Sequence, residues 1–166
     1  MKYDAATEAV TTIDHKDSVV NQGNAYFLSR PVTIPVANDD EIRLQTPDTT
    51  TWLRNFSLKV INDAAVTVSL YSATELTYVA GNILTPVNQD LNSSNVSART
   101  NMCHTPAGAG SDGVLLWQDT EAANVALYLP VGLILKQNTA YLIRVAGASG
   151  DVAKINFWWE EFANIR

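Results

Sequence analysis

The sequence predicts an all-β protein: an antiparallel β-sandwich or jelly roll preceded by an extended N-terminal arm. Three observations predict this class. After Arg30, apolar residues alternate with polar ones in several segments, turn-forming residues separate these segments, and no convincing amphipathic helix lies between them. The 166 residues are enough for one domain with its own core. We therefore divide the chain into an arm, residues 1–30, and a sandwich domain, residues 31–166.

The arm is polar, and its few apolar residues follow neither a helical nor a strict two-residue period. Such a segment cannot bury enough surface to order itself alone. It is either a loose terminus or an arm that orders by lying on a neighbouring subunit. The apolar spacing that starts at Ile13, together with Gly23, favours the second alternative.

Four segments show the alternation of a half-buried strand. Their predicted core positions are Trp52, Phe56, Leu58 and Val60; Val66, Val68 and Leu70; Tyr141, Ile143 and Val145; and Ile155, Phe157 and Trp159. Successive strand residues face opposite ways, so Trp158 has to lie outside the core. We expect another chain or the arm to cover it, in preference to a sugar stacked on its ring.

Turn-forming residues break the chain between the strands. They lie at residues 37–40, 61–64, 108–113, 136–138 and 148–151, and an Asn- and Ser-rich surface loop is predicted at residues 88–101. The acidic run Asp39-Asp40-Glu41 is better explained as a solvated turn than as a calcium loop, since Ca²⁺ takes about six or more oxygens from several segments.

No group of residues has the spacing of a catalytic, cofactor-binding or metal site. The stretch Gly108–Gly113 matches G-x-G-x-x-G, but a strand is predicted after it, where a dinucleotide site needs a helix. Cys103 and His104 are adjacent, so they diverge on a strand and cannot readily share a metal. Glu160 and Glu161 diverge in the same way and cannot form a facing acid–base pair. We predict that the protein is not an enzyme and binds no cofactor and no metal.

Composition argues against further classes of partner. With 11 Lys and Arg against 17 Asp and Glu, the net charge is −6 and the pI about 4.7, so we expect no nucleic-acid partner. The longest apolar stretch, Leu127–Leu135, is too short to span a membrane. The N-terminus lacks the apolar core of a signal peptide, and the single cysteine fits synthesis in a reducing cytoplasm.

A series of short motifs, in order along the chain, resembles a family of small virion proteins of tailed bacteriophages. The motifs are His15, Gly23-Asn24-Ala25-Tyr26, Thr46-Pro47-Asp48, Leu70-Tyr71-Ser72, Gly81-Asn82, Thr85-Pro86-Val87-Asn88, Asn92-Ser93-Ser94, Ser111–Leu116, Leu133–Arg144 and Phe157-Trp158-Trp159-Glu160-Glu161. The family's Asn-Arg pairs are absent here, where Gln89-Asp90-Leu91 stands.

Members of this family are usually regarded as capsid decoration, or cement, proteins. The resemblance implies a jelly-roll subunit that is made in the bacterial host cytoplasm and lies on the outer surface of the virion capsid. It implies binding to the expanded head, where the subunit would stabilise contacts between major capsid proteins. The expected partners are the major capsid protein and further copies of this chain, as a homodimer or homotrimer. His15, Tyr26, Phe27 and Trp158 are the residues that we expect to contact the capsid or a sister subunit.

The alternative is a carbohydrate-binding β-sandwich module of a phage head or tail fibre. That function requires a cluster of exposed aromatic residues beside polar ones, for which Trp52 and Trp117 are candidates. The decoration role requires instead an extended apolar contact surface and an arm. An esterase-like sandwich ranks behind both, because the motif spacing assembles no nucleophile, base and orienting acid.

Overall fold

The computed structural model describes residues 22–35, 39–48, 50–98, 101–129 and 132–163, which form two antiparallel β-sheets around one core. The strands are β1 Ala25–Thr33, β2 Asp39–Gln45, β3 Thr51–Asn62, β4 Val66–Ser72, β5 Val87–Asn88, β6 Asn101–His104, β7 Val114–Glu121, β8 Leu127–Tyr128, β9 Leu133–Leu135, β10 Ala140–Ala146 and β11 Val152–Ala163. Within the residues described, the one helical element is a 3₁₀ turn at Ala80–Asn82. This part of the chain contains no helix with the length and apolar character needed to cross a bilayer.

The strands are connected as a jelly roll. Sheet A has the order β5-β1-β11-β3-β8, with β9 also paired to β3, and sheet B has the order β6-β2-β10-β4-β7. From β1 to β4 the chain alternates between the sheets. The last two strands then return between the first four, β10 between β2 and β4 and β11 between β1 and β3. This interleaving is typical of the two Greek keys of a jelly roll, and the predicted fold class is confirmed.

The core lies between the sheets and follows the alternation that the sequence predicts. On β11, the inward side chains Ile155, Phe157 and Trp159 are at most 1% exposed. The Phe157 ring lies 6.1 Å from the Phe56 ring, and Trp159 stacks on Tyr26 at 6.0 Å. The predicted inward positions of β4 and β10 are buried as well. Both sheets contribute to one buried apolar cluster, and burial of apolar surface is the dominant favourable term in folding.

One predicted core position, Trp52, is wrong because β3 contains a β-bulge. Asn55 has a φ of 49°, and the register with β11 slips there, so that Asn55 and Phe56 together stand opposite Trp159. The slip moves the alternation by one residue. Leu53 is buried before the bulge and Phe56 after it, while Trp52 is left half-buried outside the core.

Residues 73–113 connect β4 to β7 and add a strand to each sheet; we call them the β4–β7 connection. Its strand β5 pairs with β1 at the edge of sheet A, and its strand β6 pairs with β2 at the edge of sheet B. Thr77 and Ala107 pair with each other where the connection leaves and returns. Arg43, on the outer side of β2, donates to the Leu76 carbonyl at 2.7 Å. The connection thus wraps one side of the sandwich and covers part of the outer face of sheet B.

The glycine-rich turn precedes β7, as the sequence predicts, and an arginine holds it against sheet B. Arg144 of β10 donates to Asp112 at 2.6 and 2.8 Å and to Glu41 of β2 at 2.8 Å. The hydrogen bonds from Arg144 lower the pKa of the Asp112 carboxyl. Gly113 has a φ of 99°, and a side chain there would meet the Ser72 carbonyl oxygen at 2.1 Å. Only glycine fits this turn without displacing backbone.

The sandwich begins earlier than the predicted boundary at residue 30. Ala25–Arg30 belong to β1, which pairs with β11 along its whole length, from Ala25 opposite Glu160 to Thr33 opposite Val152. These backbone hydrogen bonds order a segment whose own side-chain pattern is too irregular to predict a strand. The rest of the predicted arm, residues 1–21, lies outside the described residues.

The predicted solvated turn at Asp39–Asp40 is also wrong, because both residues lie in β2. Asp40 is buried and forms an ion pair with Arg30 of β1, while Asp39 lies 3.4 Å from Arg144. Carboxylates that are paired in this way can occupy a strand despite their low strand propensity.

Replacing Phe157 by alanine should lower the free energy of unfolding by about 3–5 kcal/mol, because a large aromatic side chain is removed from the centre of the core. Urea denaturation measures the change, with Asn156→Ala on the opposite face of β11 as the matched control. Asn156 is half-buried, so the control should cost about 1 kcal/mol or less. Equal losses in the two variants would contradict the placement of the core.

Candidate functional site

The candidate site lies at the end of the sandwich where β11 finishes, the described chain begins and an Asn- and Ser-rich loop passes between them. This loop, residues 89–98, follows β5, and it confirms the surface loop predicted there. Side chains hold its turns. The backbone N–H of Asp90 donates to the side-chain oxygen of Asn88 at 2.9 Å, and the backbone N–H of Asn95 donates to the Ser93 hydroxyl at 3.1 Å. Such local bonds are typical of Asn and Ser in turns, and they shape the loop without a hydrophobic core.

A buried carboxylate, Glu161 of β11, ties the loop to sheet A. It accepts hydrogen bonds from the Ala98 amide at 2.6 Å, the Trp159 indole N–H at 2.9 Å and the Ser97 hydroxyl. The Glu161 side chain is almost fully buried. Hydrogen bonds to a charged acceptor are roughly twice as strong as neutral ones, and a buried charge requires them. The loop is therefore anchored to the end of a central strand.

The first described residues are clamped beneath the same loop. The Gly23 carbonyl oxygen accepts from the side-chain amides of Asn88 at 2.9 Å and Asn95 at 3.2 Å, and from the Tyr26 hydroxyl at 3.3 Å. Asn95 also donates to the Gln22 carbonyl at 3.3 Å. We call Gln22 and Gly23 the arm root. Three donors on one carbonyl fix the point at which the arm joins the sandwich.

Glycine is required at the arm root. Gly23 has a φ of 66° and lies in a turn with Gln22, and a side chain at this position would meet the Ser93 hydroxyl oxygen at 2.1 Å. The left-handed backbone of Gly23 forms part of this turn just before β1. The arm root thus packs directly against the loop.

The loop carries the two most exposed large apolar side chains of the described residues. Leu91 is 82% exposed and Val96 is 86% exposed. Single exposed apolar residues are common on protein surfaces and need no explanation. Both lie on one anchored loop, Leu91 beside a further apolar surface and Val96 on the opposite side.

That further surface is on the outer face of sheet A. Val87, Phe27 and Trp158 are neighbours on the adjacent strands β5, β1 and β11. Phe27 is 39% exposed and Trp158 is half-buried. Phe27, Trp158, Gln89 and Leu91 line a surface hollow of about 500 Å³, which we call the aromatic hollow. Its walls are mostly apolar, with one amide.

A second cleft, of about 540 Å³, opens on the other side of the loop. It is lined by Asn24, Tyr26, Thr51, Ser94, Asn95, Val96, Ala98 and Glu161. Burial, and then the negative charge of Glu161, raise the pKa of the Tyr26 phenol to about 12, so the phenol is neutral near pH 7. The Glu161 carboxylate already accepts hydrogen bonds from the loop, so the polar groups that this cleft offers a ligand are amides and hydroxyls.

A third cleft, of about 470 Å³, opens between the sheets beside β1 and β2 and includes Arg30, Asp40 and His104. Arg30 and Asp40 form a two-pronged ion pair across it. Burial, and then the charge of Arg30, lower the pKa of His104, so its imidazole is neutral at pH 7. Because Asp40 neutralises Arg30, this ion pair links the two sheets and does not provide a binding site for an anion.

The structure brings together two of the four predicted contact residues. Phe27 and Trp158 face each other across β1 and β11 and line the aromatic hollow. Tyr26 is buried against Trp159 in the core and reaches the surface only where it lines the second cleft. His15 lies outside the described residues.

The two candidate sugar-site aromatics lie on different sheets. Trp52 lies on β3 of sheet A, whereas Trp117 lies on β7 of sheet B and packs against the core. Sequence reasoning also missed Leu91, Val96 and Glu161. An apolar residue inside a run of Asn and Ser was the available signal for the first two, whereas nothing in the sequence indicates that a strand carboxylate anchors a distant loop.

Comparisons with known proteins show no family for this chain. No family model matches the sequence, and no curated protein matches it. Among solved structures, hydroquinone 1,2-dioxygenase from Sphingomonas sp. TTNP3 is similar at a TM-score of 0.32 and 13% identity, with 82% of this chain and 60% of that chain covered. This chain thus spans about three fifths of the dioxygenase chain.

Two further solved structures are similar at lower TM-scores. The carbohydrate-binding module TmCBM61, in complex with β-1,4-galactotriose, has a TM-score of 0.21 and 10% identity over 84% of this chain and 63% of that chain. The Israeli acute paralysis virus particle has a TM-score of 0.25 and 8% identity over 99% of this chain and 78% of that chain. Similarity at this level carries no argument about function.

Replacing Glu161 by glutamine should detach the loop. A neutral amide accepts weaker hydrogen bonds than a carboxylate, and its NH₂ group would face N–H and O–H groups that are themselves donors. We expect a loss of about 1.5–3 kcal/mol in the free energy of unfolding. Hydrogen exchange should also accelerate at the Ala98 amide while the Phe157 amide stays protected. The matched control is Glu121→Gln on β7. If Ala98 exchanges equally fast in both variants, Glu161 does not anchor the loop.

Alkaline pH should destabilise the arm root through Tyr26. The phenol has a pKa of about 12 when folded and 10.0 ordinarily, so its contribution to stability is complete below pH 10 and is lost as the pH rises toward 12. Tyr26→Phe should therefore lose less stability than the parent chain between pH 9 and pH 12, measured by urea denaturation. Tyr128→Phe, at an exposed position, should follow the parent. Coinciding profiles for Tyr26→Phe and the parent would refute this assignment.

Proposed function

We propose that this protein is a bacteriophage capsid decoration protein, which binds the outer surface of the expanded head and stabilises contacts between major capsid proteins. Its described residues form a β-sandwich with jelly-roll connections, as the resemblance to the phage family implies. The proposal is supported by that resemblance and by the surface at one end of the sandwich.

The anchored loop is the observation that carries this proposal. Leu91 and Val96 are exposed on a loop that is hydrogen-bonded to Glu161 and to the arm root. A rigid loop loses little conformational entropy on binding, so more of the burial energy is retained as affinity. Full burial of a Leu or Val side chain stabilises a complex by about 1.5–3 kcal/mol.

Attachment to a shell makes such a small contact sufficient. A subunit that binds the expanded shell and not the immature one stabilises the expanded state by mass action. Copies that also associate with each other bind several sites at once, which raises their avidity without a new kind of contact. Homodimers and homotrimers are both compatible with the symmetry of an icosahedral shell. No catalytic group is needed for this function.

A carbohydrate-binding function is the second candidate, and the aromatic hollow favours it. Phe27 and Trp158 offer two ring surfaces beside the Gln89 amide. A pyranose ring stacks on aromatic faces, and an amide donates to and accepts from its hydroxyls. In that case the loop would be a wall of the sugar site, and Val96, which does not line the hollow, would take no part in binding.

The substitution Val96→Asp separates the two functions. On expanded phage heads stripped of this protein, the variant should bind roughly tenfold or more weakly than the parent in a co-sedimentation titration, since a charge would have to be buried in the contact in place of the Val96 methyl groups. Ile134→Asp is the matched control, because Ile134 is 59% exposed on β9 and lines neither the aromatic hollow nor the cleft beside Val96. It should bind as the parent does.

Immature proheads provide the second control and should bind neither variant nor parent. Saturable binding to expanded heads at a fixed ratio to the major capsid protein is the expected result. Absence of binding to either shell would overturn the decoration proposal. A glycan array would then test the second candidate. It is favoured if the parent and Val96→Asp bind the same oligosaccharide and Trp158→Ala does not.

A further inference from the structure

Strand β7 forms the edge of sheet B that lies opposite β6. One side of β7 pairs with β4, from Glu121 opposite Val66 to Val114 opposite Ser72. Among the described residues, no strand pairs with its other side. In an antiparallel sheet the N–H and C=O groups of alternate residues point away from the neighbouring strand. This eight-residue edge strand therefore carries a row of main-chain donors and acceptors that a further strand can use.

The first part of β7 exposes three consecutive apolar side chains. Val114 is 63% exposed, and Leu115 and Leu116 are each 49% exposed. A β-bulge lies within this run, because Leu116 is an extra residue between Leu115 and Trp117 and has no partner on β4. Exposed apolar side chains on an open edge favour the addition of a strand, which is one of the common ways in which proteins bind extended peptides.

The second part of β7 is acidic. Asp119 and Glu121 are two residues apart, so their side chains lie on the same side of the sheet. Asp119 is exposed, although it stands opposite the buried Val68. Within the described part of the chain neither carboxylate forms an ion pair, and the Asp119 carboxylate accepts a hydrogen bond from the adjacent Thr120 N–H at 2.9 Å. The strand contains no Lys or Arg that could neutralise them.

A second copy of β7 is a poor match for this edge. Two copies that pair antiparallel about the middle of the strand place Asp119 beside Leu116 and Glu121 beside Val114 of the other copy. Each carboxylate would then lose water without gaining a positive charge, which is unfavourable. Charges on an edge strand commonly prevent such unselective pairing. The edge therefore favours a strand of different composition.

From these observations we propose that β7 accepts an extended segment of a partner protein as an added antiparallel strand of sheet B. The segment carries apolar side chains where it meets Val114–Leu116, and Lys or Arg where it meets Asp119 and Glu121. The described strand pairs of sheet B are all antiparallel, so the addition continues the same ladder. Main-chain hydrogen bonds supply affinity, and the two parts of β7 supply specificity. This binding edge is independent of the decoration proposal, since it belongs to the subunit in solution.

Titration of the full-length chain with a synthetic peptide, followed by heteronuclear NMR, tests the proposal. The probe is the acetylated peptide amide Lys-Thr-Lys-Thr-Val-Thr-Val-Thr, whose lysines stand opposite Glu121 and Asp119 in the antiparallel pairing. Saturable shifts of the β7 amides, including those of Gln118 and Thr120, are the expected result. The same peptide with Glu in place of both Lys should bind about tenfold more weakly, because attraction becomes repulsion at two positions.

Two further probes separate strand addition from a general charge effect. A lysine peptide methylated on alternate backbone nitrogens keeps its side chains but cannot complete the ladder, so its binding should be lost. In the protein, Asp119→Lys should weaken binding of the lysine peptide about fivefold. Asp48→Lys, at an exposed position between β2 and β3, changes the net charge equally and should bind as the parent does.

Any of four results would overturn the proposal. The first is the absence of saturable shifts in β7, and the second is equal binding of the lysine and glutamate peptides or of the methylated peptide. The third is an equal loss of binding in Asp119→Lys and Asp48→Lys. The fourth is a dependence of the β7 amide shifts on protein concentration without peptide, which would mean that a second copy occupies the edge.

Discussion

The alternation of side chains along β11 is the constraint on which the rest of the structure depends. This strand lies between β1 and β3 in sheet A, so both of its edges are hydrogen-bonded. Its inward side chains join the two sheets, its outward Trp158 forms the floor of the aromatic hollow, and Glu161 at its end holds the loop. A shift of the strand by one residue would exchange these faces and remove the core and the contact surface together.

The β4–β7 connection adds one strand to each sheet of the jelly roll and forms a loop at one end of the sandwich. A sandwich of two four-stranded sheets leaves the edge strands β1 and β2 open, and open edges favour unwanted pairing. The connection covers both edges with the short strands β5 and β6. Between them lies the loop with the exposed apolar side chains. Protection of the edges and presentation of a contact surface are therefore achieved by one segment.

The sequence was sufficient for the strands with regular alternation and insufficient where long-range contacts decide. The inward faces of β4, β10 and β11 follow from the two-residue period alone. Trp52 was assigned to the wrong face because a bulge at Asn55 leaves no sign in the pattern of apolar residues. The acidic start of β2 could not be predicted either, since its charges are neutralised by Arg30 and Arg144, which lie elsewhere in the sequence.

The clamp on the arm root binds main-chain carbonyl oxygens. Asn88 and Asn95 bind the carbonyl oxygens of Gln22 and Gly23, and the packing against Ser93 requires the absence of a side chain at Gly23. The hydrogen bonds of the clamp depend on the backbone at these two positions and not on side-chain chemistry. A side chain introduced at position 23 would instead push the loop away at Ser93 and open the end of the sandwich.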